Sequence, residues 1–376
     1  MEFIDLGRQM ERIRTSINAR MEKVLNHGQF IMGPEVAELE RQLAEFVGVK
    51  HCISCGNGTD ALQMALMAAE IGPGDAVFTT TFTFIATAEV ISLLGAVPVF
   101  VDIDERTFNI DPAHLQQVVE RTRAEGKLRP KAVIPVDLFG LPADYAVLED
   151  YCRKQGLFLL EDAAQSLGSS LNGRMAGAFG DCGSTSFFPA KPLGCYGDGG
   201  ALFTNDDQLA GRLRSIRIHG KGTDKYDNIR LGVNSRLDTL QAAVLLAKLE
   251  VFRDEIRARQ EVAASYSKRL GGQFKVPFVP EGAVSAWAQY SLVLEDRAGL
   301  QAQLKAAGIP TNIYYPKPLH LQTAYQALGY KPGSFPRSER TAEAILSLPM
   351  HPYLTQAEIE QVTEACLQSS TASPRA

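Results

Sequence analysis

The sequence predicts an α/β protein, with a mixed, mostly parallel sheet in a large N-terminal domain and a small α+β domain after it. Two observations lead there. From residue 50 onward, short continuous apolar runs alternate with helical stretches, the pattern of strands buried on both faces and joined by helical crossovers. In the last third the apolar runs are short and grouped around one clear helical segment.

The elements follow in order. Met10, Ile13, Ile17, Met21 and Val24 recur at three- and four-residue steps, so the first 25 or so residues form an amphipathic helix. Gly33-Pro34 opens a second, with Val36, Leu39, Leu43 and Phe46 on one face and Pro34 suited to the first turn. Strands are expected at Cys52–Cys55, Ala76–Thr79, Val97–Val101, Ala132–Val136 and Leu157–Leu160. Helices are expected between them at Thr59–Glu70, Phe84–Leu94, Pro112–Glu125 and Ala143–Gln155. Two more strands, Ser184–Phe188 and Ala201–Thr204, flank a Gly/Pro-rich segment from Pro189 to Gly200. A polar loop, His219–Asn234, leads to a long helix from Arg236 to about Leu270. The domain boundary is placed inside that helix, giving domains 1–250 and 251–376. In the second, Val276–Val279, Tyr290–Leu294 and Thr311–Tyr315 are strand-like around a helix at Ala298–Ala307, and the polar tail after Gln368 is expected to fray.

Composition narrows the function. The 376 residues carry 38 Lys+Arg against 43 Asp+Glu, a net charge of −5 with no long basic run. Nucleic acid and anionic membranes need a concentrated positive field, so neither is an expected partner, and any phosphate must be held locally. No apolar stretch reaches membrane-spanning length and the first residues do not read as a signal peptide, which points to the cytoplasm. Six scattered cysteines lack the spacing of a disulfide framework. The pair Cys52 and Cys55 reads as two small strand residues, and no metal site is expected.

In an open parallel sheet, ligands bind beyond the carboxyl ends of the strands. Three places there carry chemistry. Gly56-Asn57-Gly58-Thr59 joins a strand to a helix start, where free N–H groups and a hydroxyl can hold a phosphate. Phe158-Leu159-Leu160-Glu161-Asp162 delivers Asp162 to a strand end, a costly position unless a cation or donors meet it. Glu161 reads as a sheet-edge or salt-bridge residue. Lys191 sits in the Gly/Pro-rich segment, a setting that desolvates an amine, whereas Lys248 lies in a charged helix like an ordinary surface lysine. Cradle, strand-end acid and sequestered lysine, in that order, are the parts that pyridoxal 5′-phosphate requires.

At these residues the chain resembles the DegT/DnrJ/StrS sugar aminotransferases, which have the aspartate aminotransferase fold (fold type I of pyridoxal phosphate enzymes). The resemblance runs from about Phe3 to Tyr353. It is carried by Gly33-Pro34, Gly56-Asn57-Gly58-Thr59-Asp60-Ala61-Leu62, Thr83-Phe84-Ile85-Ala86-Thr87 and Glu161-Asp162-Ala163-Ala164-Gln165. Further along come Ser186-Phe187-Phe188-Pro189-Ala190-Lys191, Gly199-Gly200, Gly232-Val233-Asn234-Ser235-Arg236-Leu237, and Tyr315-Pro316 with Leu319-His320.

The resemblance implies roles. Lys191 would bind the cofactor as a Schiff base and move the proton. Asp162 would pair with the pyridine nitrogen, Gln165 would lie at the phenolic oxygen, and Phe84, or its neighbour Phe82, against the ring. Gly58, Thr59 and Ser186 would hold the phosphate, joined by Asn234 from a second subunit, so the active unit would be a homodimer. The cofactor would cycle through pyridoxamine 5′-phosphate, taking the amino group from L-glutamate and giving it to a keto group on a nucleotide-linked sugar. Phe82-Thr83-Phe84 and Gly232–Ala242 look similar to the branch that aminates UDP-2-acetamido-2-deoxy-3-keto-glucuronate for surface polysaccharide such as O-antigen. The alternative within the family is a 4-keto UDP- or dTDP-hexose.

Arg236 is the candidate for the uronic carboxylate, with an interface ion pair, for instance to Asp238, as the competing reading. Asn234 reads equally as a helix cap. Tyr314, Tyr315 and His320 are candidate sugar-nucleotide contacts, or else packing residues. His219 and Lys221 read as solvated loop residues. Two readings from other classes stay open. Gly56, Gly58 and Ala61 also fit the relaxed G-x-G-x-x-A turn of a nicotinamide-dependent oxidoreductase. A non-catalytic regulator on the same fold is the other.

Overall fold

The computed structural model describes residues 1–224 and 226–370. Helix α1 (Leu6–His27) buries Ile13, Ile17 and Val24, and α2 (Pro34–Val47) begins on its proline as expected. Strand and helix then alternate through β1 (His51–Cys55), α3 (Gly58–Ala68), β2 (Asp75–Thr80), α4 (Ala86–Leu93) and β3 (Val97–Val101). The alternation continues with α5 (Pro112–Glu125), β4 (Arg129–Ile134), α6 (Tyr145–Gln155) and β5 (Phe158–Asp162). A small hairpin, β6 (Ser170–Leu171) and β7 (Arg174–Met175), precedes β8 (Cys182–Ser186), β9 (Gly200–Thr204), α7 (Asp207–Ile216) and α8 (Thr239–Leu270). The C-terminal third holds β10 (Ala283–Val284), β11 (Tyr290–Val293), α9 (Arg297–Ala306), α10 (Pro336–Ala344), β12 (Ile345–Leu348) and α11 (Gln356–Ser370). Helix α11 thus continues past Gln368, and the rest of the tail expected to fray lies outside the described residues.

The main sheet has seven strands in the order β1-β9-β8-β5-β4-β2-β3. Neighbours from β8 to β3 are parallel, while β9 runs antiparallel to both β8 and β1. The sheet is therefore mixed and mostly parallel. Reversal at β9 matters for the site, because Gly200 pairs with both Cys55 and Ser186 and so draws the ends of β1 and β8 together.

Several boundaries differ from expectation. β8 ends at Ser186 rather than Phe188, since Phe187 and Phe188 lead out of the sheet into Pro189, which has no N–H for a ladder. α8 starts at Thr239, leaving Asn234 to Leu237 as an extended strip ahead of it; its N-cap position is Asp238, so Asn234 is not the cap. Val276–Val279 and Thr311–Tyr315 form no strand, only the single bridges Lys275–Val293 and Asn312–Ser347. β11 pairs instead with β12, whose Ile-Leu-Ser-Leu run follows α10 with no turn residue to announce it.

One helix joins two cores. Ala242, Leu245, Leu246 and Phe252 of α8 pack with Leu39, Leu43 and Phe203, whereas Val262, Ala263, Tyr266 and Leu270 pack with Tyr290, Leu292, Leu346 and Val362. Within the first of these stretches the expectation for Lys248 is overturned. It is 1% exposed, and its Nζ has no hydrogen-bond partner among the described residues and lies 4.4 Å from the centre of the Tyr196 ring. The C-terminal third also docks back on the sheet, with Leu319, Tyr325 and Phe335 against Ala88 and Phe100.

Candidate active site

Asp162 ends the central strand β5 and is 4% exposed. Its carboxylate accepts hydrogen bonds from Thr87 Oγ1 on α4 at 2.9 Å and from the Ala164 N–H at 3.2 Å. Burial pushes its pKa up, while the Thr87 and Ala164 donors and the Lys191 charge pull it down. Such a carboxylate is furnished to stay ionised beside a cation, as a pyridinium partner must. The role of Thr87 is invisible in the Thr83-Phe84-Ile85-Ala86-Thr87 motif itself, since the contact joins residues 75 positions apart.

Lys191 lies in the segment between β8 and β9, its N–H bonded to the Phe188 carbonyl at 2.9 Å. The return of this segment needs Gly194, where a Cβ would stand 2.5 Å from the Pro189 oxygen and 2.6 Å from that of Phe188. The side chain is partly exposed, and desolvation still lowers the amine pKa, with Asp162 opposing the shift. An amine held below the usual lysine range is the nucleophile that carbonyl condensation needs.

The phosphate-cradle residues come together at the start of α3. Asn57 caps the helix through its side chain, which accepts the Asp60 N–H at 2.8 Å, while the Gly58 and Thr59 amides have no acceptor among the described residues. A Cβ on Gly58 would fall 2.6 Å from that of Ser186, so glycine lets the helix end meet the end of β8. Free amides, two hydroxyls and a helix N-terminus form a donor set suited to a phosphate. The same turn does not suit a dinucleotide. β1 is an edge strand paired antiparallel with β9, whereas the dinucleotide fingerprint belongs to a parallel β-α-β unit.

Gln165 is oriented from both sides: its Oε1 accepts the Phe139 N–H at 2.8 Å and its Nε2 donates to the Tyr315 hydroxyl at 3.2 Å. Tyr315 also approaches Phe82 and Phe84, with ring centres at 6.3 and 6.2 Å. Phe82 is fully buried and Phe84 is 54% exposed, so Phe84 has the face free to cover a flat ring. Tyr314 lies beside Tyr315, ring centres 5.7 Å apart.

Two expectations are corrected here. Glu161 is neither a sheet-edge nor a salt-bridge residue. It is fully buried on the central strand, accepts the Gly177 and Phe179 N–H groups at 2.7 and 2.9 Å, and is pushed to high pKa by burial and then by Asp137. His320 is 1% exposed with both ring nitrogens engaged, Nδ1 with Thr81 Oγ1 at 2.7 Å and Nε2 with Glu339 at 3.1 Å. A carboxylate acceptor puts the proton on Nε2, so neither nitrogen is left for a sugar, and His320 instead clamps the Tyr315 segment to the end of β2. Arg236 is partly exposed and makes no ion pair with Asp238, or with any carboxylate among the described residues. Asn234 is exposed beside it, away from the cap position. His219 is exposed but its loop is tied down, its carbonyl accepting from Asn228 Nδ2 at 2.8 Å and Lys221 pairing with Asn228.

The sequence profile of the DegT/DnrJ/EryC1/StrS aminotransferase family matches residues 11–367. The chain belongs to this family. Among the aminotransferases and their kin, it is 50% identical to the UDP-2-acetamido-2-deoxy-3-oxo-D-glucuronate aminotransferase of Pseudomonas aeruginosa, over 97% of this chain and 99% of that one. It is 43% identical to a pleiotropic regulatory protein of Geobacillus stearothermophilus, over 96% of each chain. The crystal structure of a DegT DnrJ EryC1 StrS aminotransferase from Brucella abortus superimposes with a TM-score of 0.96 at 55% identity, covering 98% of this chain and 99% of the other. The protein is thus an aminotransferase of fold type I, and its cofactor is pyridoxal 5′-phosphate.

Proposed function

We propose that this aminotransferase moves the amino group of L-glutamate to the 3-keto group of UDP-2-acetamido-2-deoxy-3-keto-glucuronate. In this reading it is a cytoplasmic homodimer with shared active sites, serving surface polysaccharide synthesis such as that of O-antigen. The observation that carries the substrate is the 50% identity to the P. aeruginosa enzyme across nearly the whole of both chains. Arg236 adds a physical reason, as a partly exposed guanidinium with no ion pair among the described residues is free to grip a uronic carboxylate in two-point fashion.

The cofactor supplies an electron sink for the carbon that loses its proton. The chain's own residues do the rest. Lys191 Nζ anchors the cofactor and carries the proton, Asp162 keeps a negative charge at the ring nitrogen, and Gln165 offers an N–H at the phenolic oxygen. Gly58, Thr59 and Ser186 hold the phosphate from one subunit and Asn234 from the other, and Phe84 covers the ring. Tyr314 and Tyr315 face the sugar; Tyr315 accepts from Gln165, so its own O–H is available to donate. Supporting the dimer, Phe30, Ile31 and Met32 lie beside the Asn234–Asp238 strip, bonded to it at Ile31–Asp238, and are 47, 48 and 40% exposed. Leu231 at 89% flanks its other end. Apolar side chains grouped this way mark a covered face. Division into domains near residue 250 is supported by the two cores that α8 joins. No helix among the described residues is long and apolar enough to cross a membrane.

The test has two stages. Protein loaded with the cofactor should be yellow, and its visible band should fall when glutamate is added without sugar. A panel of UDP- and dTDP-linked keto sugars should then give a new amino sugar, by mass, with the 3-keto uronate and not with 4-keto hexoses. Amination of a 4-keto hexose alone would select the other branch. Arg236→Ala should lower kcat/KM for the uronate by about 10- to 100-fold, the loss of a charge-assisted contact, and leave a neutral 3-keto sugar within a few-fold. Equal losses on both sugars would make Arg236 an interface residue.

A further inference from the structure

The strip ahead of α8 alternates in exposure: Asn234 outside, Ser235 1% exposed, Arg236 partly outside, Leu237 fully buried. Ser235 therefore faces inward between the two residues proposed to serve the neighbouring subunit. Its inward contacts all lead to one place. The hydroxyl accepts the Gly56 N–H at 2.9 Å, and, since an amide only donates, its own proton is left for Asp60 Oδ2 at 2.6 Å. Gly56 opens the turn before the phosphate cradle and Asp60 sits in the first turn of α3, one residue past Thr59.

A second tie runs through the backbone. The Ser235 N–H donates to the Arg217 carbonyl at 3.1 Å, and Arg217, 5% exposed, places its guanidinium on the Ser54 carbonyl at 2.9 Å and on Glu40 at 2.6 Å. Ser54 precedes Cys55 and Gly56 at the end of β1, so this path also reaches the turn. The fit is close, as a Cβ on Gly56 would stand 3.2 Å from both Ser235 Oγ and Asp60 Oδ2. Backbone bridges hold the strip at its ends, Ile218–Asn234 and Ile31–Asp238, whereas both hydrogen bonds of the Ser235 side chain go to the loop that presents the Gly58 and Thr59 amides.

We propose that Ser235 is a positioning residue that couples a subunit's own phosphate cradle to the strip, Asn234 and Arg236, that it offers to its partner's active site. This rests on the shared-site reading above. Ordering one cradle orders the two side chains that complete the other site, so the two sites of a dimer assemble together.

The test uses the full-length dimer. Ser235→Ala should raise the dissociation constant for pyridoxal 5′-phosphate, measured by titrating apoprotein, by about 10-fold, and raise KM for the uronate sugar by a similar factor with kcat within about threefold. Ser235→Thr, which keeps the hydroxyl, should restore both to within about threefold. Mixed dimers separate the two ends. Ser235→Ala paired with Lys191→Ala has one live site whose cradle is damaged and whose visiting strip is intact, so cofactor affinity falls and sugar KM stays normal. Wild type paired with the double variant K191A/S235A has an intact cradle and a loosened visiting strip, so sugar KM rises while cofactor affinity falls only through Asn234, by less than in the first pair. A loss of thermal stability with cofactor affinity and sugar KM unchanged, or the same pattern in both mixed dimers, overturns the coupling. A fully active monomer in sedimentation overturns the shared-site reading first, and the coupling with it.

Discussion

Lys191→Ala should lower turnover by at least about 10³-fold, within the range that a positioned acid–base group contributes, while the protein still binds its cofactor. Binding survives because the cradle lies at the start of α3 and Asp162 at the end of β5, and neither depends on the lysine for its own hydrogen bonds. Turnover fails because the amine that carries the proton is gone, the one whose pKa burial lowers against the Asp162 charge. A single-turnover measurement with glutamate, following the visible band, separates the outcomes, since bound cofactor whose band does not respond is the expected result. Unchanged conversion would remove Lys191 from the mechanism. The same coupling sets a pH dependence. Deleting the negative charge with Asp162→Asn removes the interaction that raises the lysine pKa, so the amine should lose its proton at lower pH than in the wild type. An upward shift of that pH limb would contradict the electrostatic assignment.

Much of this site was legible before the structure, for reasons that differ residue by residue. Lys191 stood out because glycines and prolines around it describe a segment that cannot be helix or strand, and Asp162 because it ends a continuous apolar run. Each signal is local. The contacts that tune these groups are not: Thr87 reaches Asp162, Tyr315 reaches Gln165 and Ser235 reaches Gly56 only through the order of strands in the sheet. Glu161 shows the same limit. A carboxylate on a central strand has no sequence pattern of its own, because its donors are the backbone amides of Gly177 and Phe179. His320 reads in the sequence as a sugar contact or a packing residue with nothing to choose between them, since an exposed histidine and one clamped between Thr81 and Glu339 look alike there. The reversal of β9 was likewise invisible, because a short apolar run reads the same in either direction.

The largest departure from the sequence reading makes the last prediction: Lys248→Met should stabilise the protein at neutral pH. Burial lowers the Lys248 pKa from 10.5 to about 8, against the pull of Glu255 and Cys195, and no hydrogen bond compensates the charged form. A folded pKa below the unfolded one means that between pH 8 and 10.5 the unfolded chain binds more protons, so stability rises with pH across that window. Below pH 8 the penalty for charging the buried amine is complete, at roughly 3 kcal/mol for a shift of this size. Its cation–π contact with Tyr196 offsets only about 1 to 2 kcal/mol of that. Methionine fills similar volume with no charge to desolvate and meets the Tyr196 ring, which itself packs on Ile13, Ile17, Val244 and Ala247. Denaturant unfolding at fixed protein concentration should therefore give the variant about 1 to 2 kcal/mol more stability at pH 7, a gap that closes toward pH 10.5 as the wild-type amine is no longer charged in either state. A variant less stable at pH 7, or a gap independent of pH, would show that Lys248 is held by its surroundings as a favourable cation, and that its place beneath the Lys191 segment stabilises the fold rather than straining it.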